Sequence, residues 1–120
     1  FMVMSRDRLI AEADKKIALV KENYTAPKKT IFKLPGPSAM PAMIEILETL
    51  FDSNKIKDHG LTVGKKLGFM LSGGNTNISQ TLNEQQLLDL ERAVFLELIE
   101  TPQTQERIKY TLDTGKPLFN

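Results

Sequence analysis

The sequence has no cysteine and no tryptophan, a single histidine, and near-equal numbers of acidic and basic side chains. Without cysteine, disulfides, thiolate nucleophiles and Cys-ligated zinc are all excluded, and the composition suits a reducing compartment such as the cytoplasm. One histidine leaves no pair of imidazoles for a metal. Sixteen Lys plus Arg against fifteen Asp plus Glu give a formal charge of +1, so no field gathers nucleic acid or an anionic membrane. Long apolar runs are missing too. Phe1-Met2-Val3-Met4 is followed at once by Ser5-Arg6-Asp7-Arg8, too short a stretch for a signal or a membrane span. It reads as the tail of a buried element in a longer polypeptide, in preference to a disordered terminus.

The 120 residues are 41% hydrophobic and 26% charged, a balance that predicts one helical domain with a single core. Leu9, Ile10, Ala13, Ile17 and Val20 recur at helical spacing and predict an amphipathic helix from a cap at Ser5 to about Tyr24. Thr25 to Lys29 breaks that pattern. Residues 30–34 alternate and form an extended linker before Pro35-Gly36-Pro37, pinning Ile31 or Phe32 to the core. Ser38, the apolar series from Met40 to Phe51 and Pro41 in a first turn predict a second helix over about 39–53. Asp58 caps a third, to about Ser72, closed by Gly73-Gly74.

Within that third helix Gly64 and Gly68 lie four apart on one face, each costing about 1 kcal/mol relative to Ala, which predicts that another helix passes close there. Thr81 with Glu84, or Asn83 with Gln86, supplies a capping pair for a fourth helix to about Glu100. Thr101-Pro102 opens a fifth, and Gly115 followed by Pro117 closes it. The fold class expected is all-α, about five helices around one core.

A helical wheel of the fourth helix sets Gln85, Asp89, Arg92, Leu96 and Glu100 on one side and Leu87, Leu88, Leu90, Val94, Phe95 and Leu98 on the other. Glu91 falls within the apolar arc. A structural ion pair with Arg107 or Lys66 is the expected compensation, ahead of simple exposure at the helix edge or a catalytic or ligand-binding carboxylate. Leu96 is either a harmless exposed apolar residue or part of a contact with another subunit or domain. His59, beside Asp58, is expected in a surface or capping role. Ser72-Gly73-Gly74-Asn75-Thr76 follows a helix rather than a strand, so it predicts a helix C-cap and not a phosphate cradle. The lysine pairs 15/16, 28/29 and 65/66 read as solvated faces. The methionines, Met2, Met4, Met40, Met43 and Met70, read as core gap-fillers, with a Met-rich binding surface as the minor alternative.

Several blocks occur together in order: Ser5-Arg-Asp-Arg-Leu-Ile-Ala-Glu-Ala13, Phe32-Lys-Leu-Pro-Gly-Pro-Ser38, Asp58-His59, Val63-Gly-Lys-Lys-Leu67, Leu71-Ser-Gly-Gly74, Leu87-Leu-Asp-Leu-Glu-Arg92, Thr104-Gln-Glu-Arg-Ile108 and Thr114-Gly-Lys-Pro-Leu118. In this they resemble the C-terminal end of bacterial multifunctional 3-hydroxyacyl-CoA dehydrogenases of fatty-acid β-oxidation, which carry an enoyl-CoA hydratase (crotonase-like) part. Phe119 departs from the basic residue such endings carry. The resemblance implies NAD and acyl-CoA for the parent enzyme, a helical tail that packs on the crotonase-like core and self-associates, and no catalytic, cofactor or metal residue in this segment. It implies a cytoplasmic protein without nucleic-acid or membrane partners. Two other readings stand beside it. One is a free-standing helical adaptor with a groove lined by Met40, Met43 and Phe51; the other is a small acyl-CoA-carrying bundle with Lys65 or Lys66 near the phosphates.

Overall fold

The computed structural model describes residues 6–120; Ser5 as a cap and Phe1, Met2 and Met4 as parts of a buried element lie outside the described residues. Five α-helices carry the fold: α1 (Leu9–Val20), α2 (Met40–Asp52), α3 (Asp58–Leu71), α4 (Glu84–Ile99) and α5 (Pro102–Thr114). Two short strands, β1 (Ile31–Phe32) and β2 (Leu82–Asn83), pair antiparallel with Ile31 opposite Asn83 and Phe32 opposite Leu82. The all-α class expected from the periodicity is the class observed.

The helix ends follow local chemistry. Asn83 accepts from the Gln86 amide at 2.9 Å while the Gln86 side chain accepts from the Asn83 amide at 2.9 Å, so α4 begins with a reciprocal capping box. Thr101 caps α5 with Pro102 in its first turn, and Gly115, at φ +69°, ends it. Asp58 is the first residue of α3 rather than its cap; Lys57 holds that position without a side-chain bond. At the other end of α3, Gly74 donates to the Phe69 carbonyl and Gly73 to the Met70 carbonyl, a Schellman closure with both glycines at positive φ.

Packing runs in sequence order, α2 on α3, α3 on α4 and α4 on α5. The α2/α3 crossing is close because α3 presents glycine: a Cβ on Gly64 would sit 2.6 Å from Leu47 Cδ2, and one on Gly68 would sit 3.2 Å from Met43 Sδ. Gly36 allows a similar close approach in the loop before α2. Its amide donates to the Ser72 carbonyl at 2.7 Å, its φ is +63°, and a Cβ there would lie 1.7 Å from the Thr76 carbonyl oxygen. These contacts lock the loop before α2 to the loop after α3.

The enclosed apolar core is small. Among the described residues only Val94 and Leu98, both on α4, are buried hydrophobics. Leu88 and Phe95, which the wheel sets on the same apolar side, remain about half exposed. α1 makes its substantial contacts only with the 3-10 turns that flank it, residues 6–8 and 21–23. The radius of gyration is 21.1 Å, against about 14 Å for a compact chain of this length. α1 stands as an arm off a body made of α2 to α5, which are packed chiefly as successive pairs.

Candidate functional site

The one buried titratable side chain among those described sits where α3 meets α5. His59, in the first turn of α3, is 5% exposed, and its Nε2 lies 2.8 Å from Thr104 Oγ1. Thr104 Oγ1 is 2.9 Å from Thr101 Oγ1, which is 2.6 Å from the Leu98 carbonyl oxygen. With the Thr101 proton on that carbonyl, Thr104 donates to Thr101 and His59 Nε2–H donates to Thr104, so every donor in the chain has an acceptor. The surface or capping role expected of His59 is therefore corrected: it is an interior residue that ties two helices together. Burial lowers the pKa of its imidazole, and the Arg107 guanidinium nearby lowers it further.

Arg107 does not reach Glu91. Its Nε donates to Asn120 Oδ1 at 2.7 Å and its terminal nitrogen to the Asn120 main-chain oxygen at 3.0 Å. Asn120 in turn donates to the Gln103 carbonyl and to Glu106, folding residues 118–120 back along α5. Lys66 pairs with Glu97, and Lys65 pairs with Glu48 at 3.2 Å. Glu91 is exposed, so the ion pair expected with Arg107 or Lys66 is not formed. The apolar arc of α4 is only partly covered, and at its edge a carboxylate keeps its water. Leu96 is 50% exposed.

Of the groove expected from Met40, Met43 and Phe51, Met43 and Met40 meet α3 at Gly68, and all three residues are half-buried. The Gly73 and Gly74 amides already donate to Met70 and Phe69, and the Ser72 hydroxyl, fully buried, donates to the Phe69 carbonyl at 2.9 Å. No set of three or more His, Asp or Glu side chains among the described residues is placed to hold a metal. The His59 chain ends at the Leu98 backbone carbonyl.

What lies open is apolar surface. Leu9, Ile10, Ile17, Leu19, Val20 and Tyr24 on and after α1 are 48–75% exposed. No described helix is long and apolar enough to cross a membrane. The sequence did not reveal the His59–Thr104–Thr101 chain. Its available signal was the pair of threonines three apart at the head of α5, which marks a polar helix start without saying which residue arrives there.

No family model matches the chain, and no solved structure matches it. A curated protein of Bacillus subtilis (strain 168), named a probable 3-hydroxyacyl-CoA dehydrogenase, is 30% identical to it over 118 residues. That alignment covers 98% of this chain and 15% of the relative's length.

Proposed function

We propose that this chain is the C-terminal helical packing and assembly domain of an NAD-dependent 3-hydroxyacyl-CoA dehydrogenase that also carries an enoyl-CoA hydratase part and acts in fatty-acid β-oxidation in the cytoplasm. The observation that carries this reading is the likeness to the probable 3-hydroxyacyl-CoA dehydrogenase, which runs through nearly the whole chain. In this reading NAD and acyl-CoA are bound by other parts of the polypeptide, and the 120 residues take no part in turnover. Two features support a structural role. The polar centre at His59 is closed upon itself, and the apolar face of α1 is left uncovered. A helix of twelve residues is marginal in water unless its apolar side is packed. Partners are then the remainder of the parent polypeptide and further copies of it.

The purified 120-residue chain, assayed for oxidation of 3-hydroxyacyl-CoA with NAD and for hydration of enoyl-CoA, is expected to be inactive in both. Turnover above the uncatalysed rate in either assay overturns the non-catalytic role.

A further inference from the structure

The loop between α3 and β2, residues 72–81, is tied up by its own hydrogen bonds. Thr76 Oγ1 donates to the Gly73 carbonyl at 2.8 Å, the Ser79 amide donates to Asn77 Oδ1 at 2.9 Å, and the Gln80 amide donates to the Asn77 carbonyl at 3.0 Å. A Cβ on Gly74 would lie 3.0 Å from Leu90 Cδ2 and 3.4 Å from Phe69 Cζ, so the loop backbone rests on those two side chains. Beside the loop and the start of α4 lies an open recess of about 330 Å³, at the lower end of the size range of small-molecule sites. Half-buried Phe69, Leu82 and Leu90 give it an apolar floor, and three carboxamides, those of Asn75, Gln80 and Gln86, line it with them. No charged side chain among the described residues lines it.

Two of the three carboxamides are already oriented. Gln80 Oε1 accepts from the Asn77 amide and Gln86 Oε1 from the Asn83 amide, both at 2.9 Å, so each glutamine has its oxygen engaged and its NH2 left to donate. Neither NH2 has an acceptor among the described residues, and the Asn75 side chain has no hydrogen-bond partner among them. We propose that this recess binds a small uncharged carboxamide with an apolar body. The ligand's carbonyl oxygen accepts from the glutamine NH2 groups, its own NH2 donates to Asn75 Oδ1, and its apolar part covers Phe69, Leu82 and Leu90. A carboxylate or an ammonium in the same recess gives up water and meets no opposite charge. The tied loop lowers the ordering cost that binding has to meet. The site is independent of the assembly role proposed above and of the surface of α1.

Benzamide, benzoate and benzylamine share an aromatic body and differ in the polar head, so they separate the chemistry of the rim from that of the floor. Titration of the isotope-labelled 120-residue chain with each, followed by two-dimensional NMR, is expected to show saturable shifts with benzamide at the side-chain NH2 signals of Asn75, Gln80 and Gln86 and at the amides of residues 73–76. A Kd of about millimolar is expected for so small a probe, with benzoate and benzylamine about tenfold weaker or more. Gln80→Glu and Gln86→Glu each keep an oxygen for the Asn77 or Asn83 amide, the latter preserving the capping box, while removing the NH2 donor. Each should weaken benzamide binding about fivefold or more, and the amide spectrum away from the recess shows that the fold is kept. Shifts that fail to saturate, or that centre elsewhere on the chain, would overturn the proposal. Equal binding of the three heads, or unchanged affinity in both glutamate variants, would overturn it too.

Discussion

α1 and α4 are both amphipathic helices of ordinary composition, yet α4 holds the two buried hydrophobics of the described chain and α1 holds none. The difference lies in what surrounds them. α4 has α3 on one flank and α5 on the other, with a capping box that satisfies its first amides from within. α1 and its 3-10 turn lead into an irregular segment from Tyr24 to Thr30 that reaches β1, and among the described residues the substantial contacts of α1 are with the turns that flank it. An apolar periodicity thus says that a helix has a face to bury, while the location of the partner is a property of the rest of the assembly.

The sharpest way to break the body without touching the arm is Gly36→Ala. A methyl group there meets a backbone carbonyl that cannot step aside, and the positive φ adds about 1 kcal/mol or more, so a loss of roughly 3 kcal/mol or more in urea unfolding is expected. A near-neutral result would show that the lock between residues 36 and 76 is loose. Next come paired truncations. Leu98→Ala should cost about 2–4 kcal/mol, whereas Ile17→Ala in dilute solution should leave the main transition within about 0.5 kcal/mol of the parent. Equal losses would erase the distinction between arm and body.

A graded effect is expected from His59. Its pKa is lowered in the folded chain, so below the ordinary histidine value the unfolded state binds the proton more readily. The associated stability is fully present above about pH 6.5 and is lost as pH falls below that value toward the lowered folded pKa. Melting curves from pH 7.5 to 5.5 should show the decline, and His59→Gln should remove this part of the pH dependence. An unchanged pH slope in that variant would place the titration elsewhere. Smallest of all, Glu91→Leu should shift stability by less than about 0.5 kcal/mol, since the carboxylate is already solvated. A loss of several kcal/mol would mean that Glu91 has a buried partner after all.

Local signals carried the helix ends well. Asn83 with Gln86, Thr101 with Pro102, and Gly115 each act through bonds within a few residues, and these can be read from a sequence. Gly64 and Gly68 announce a close neighbour through the helix propensity they give up, though only the fold shows Leu47 and Met43 to be what comes close. His59 and Glu91 went the other way, and for one reason. Burial depends on which helices arrive from far along the chain: α5 arrives over His59, and among the described residues no element covers the edge of α4 at Glu91. A wheel drawn on one helix contains neither fact.

The most direct test of an arm that waits for a partner beside a body that stands alone is amide hydrogen exchange of the 120-residue chain, followed by mass spectrometry at low and high concentration. Slow exchange in α2 to α5 is expected at both concentrations, with α1 exchanging fast when dilute and slowing when concentrated. Strong protection of α1 in the dilute monomer, or protection in the body that appears only at high concentration, would contradict the division into arm and body.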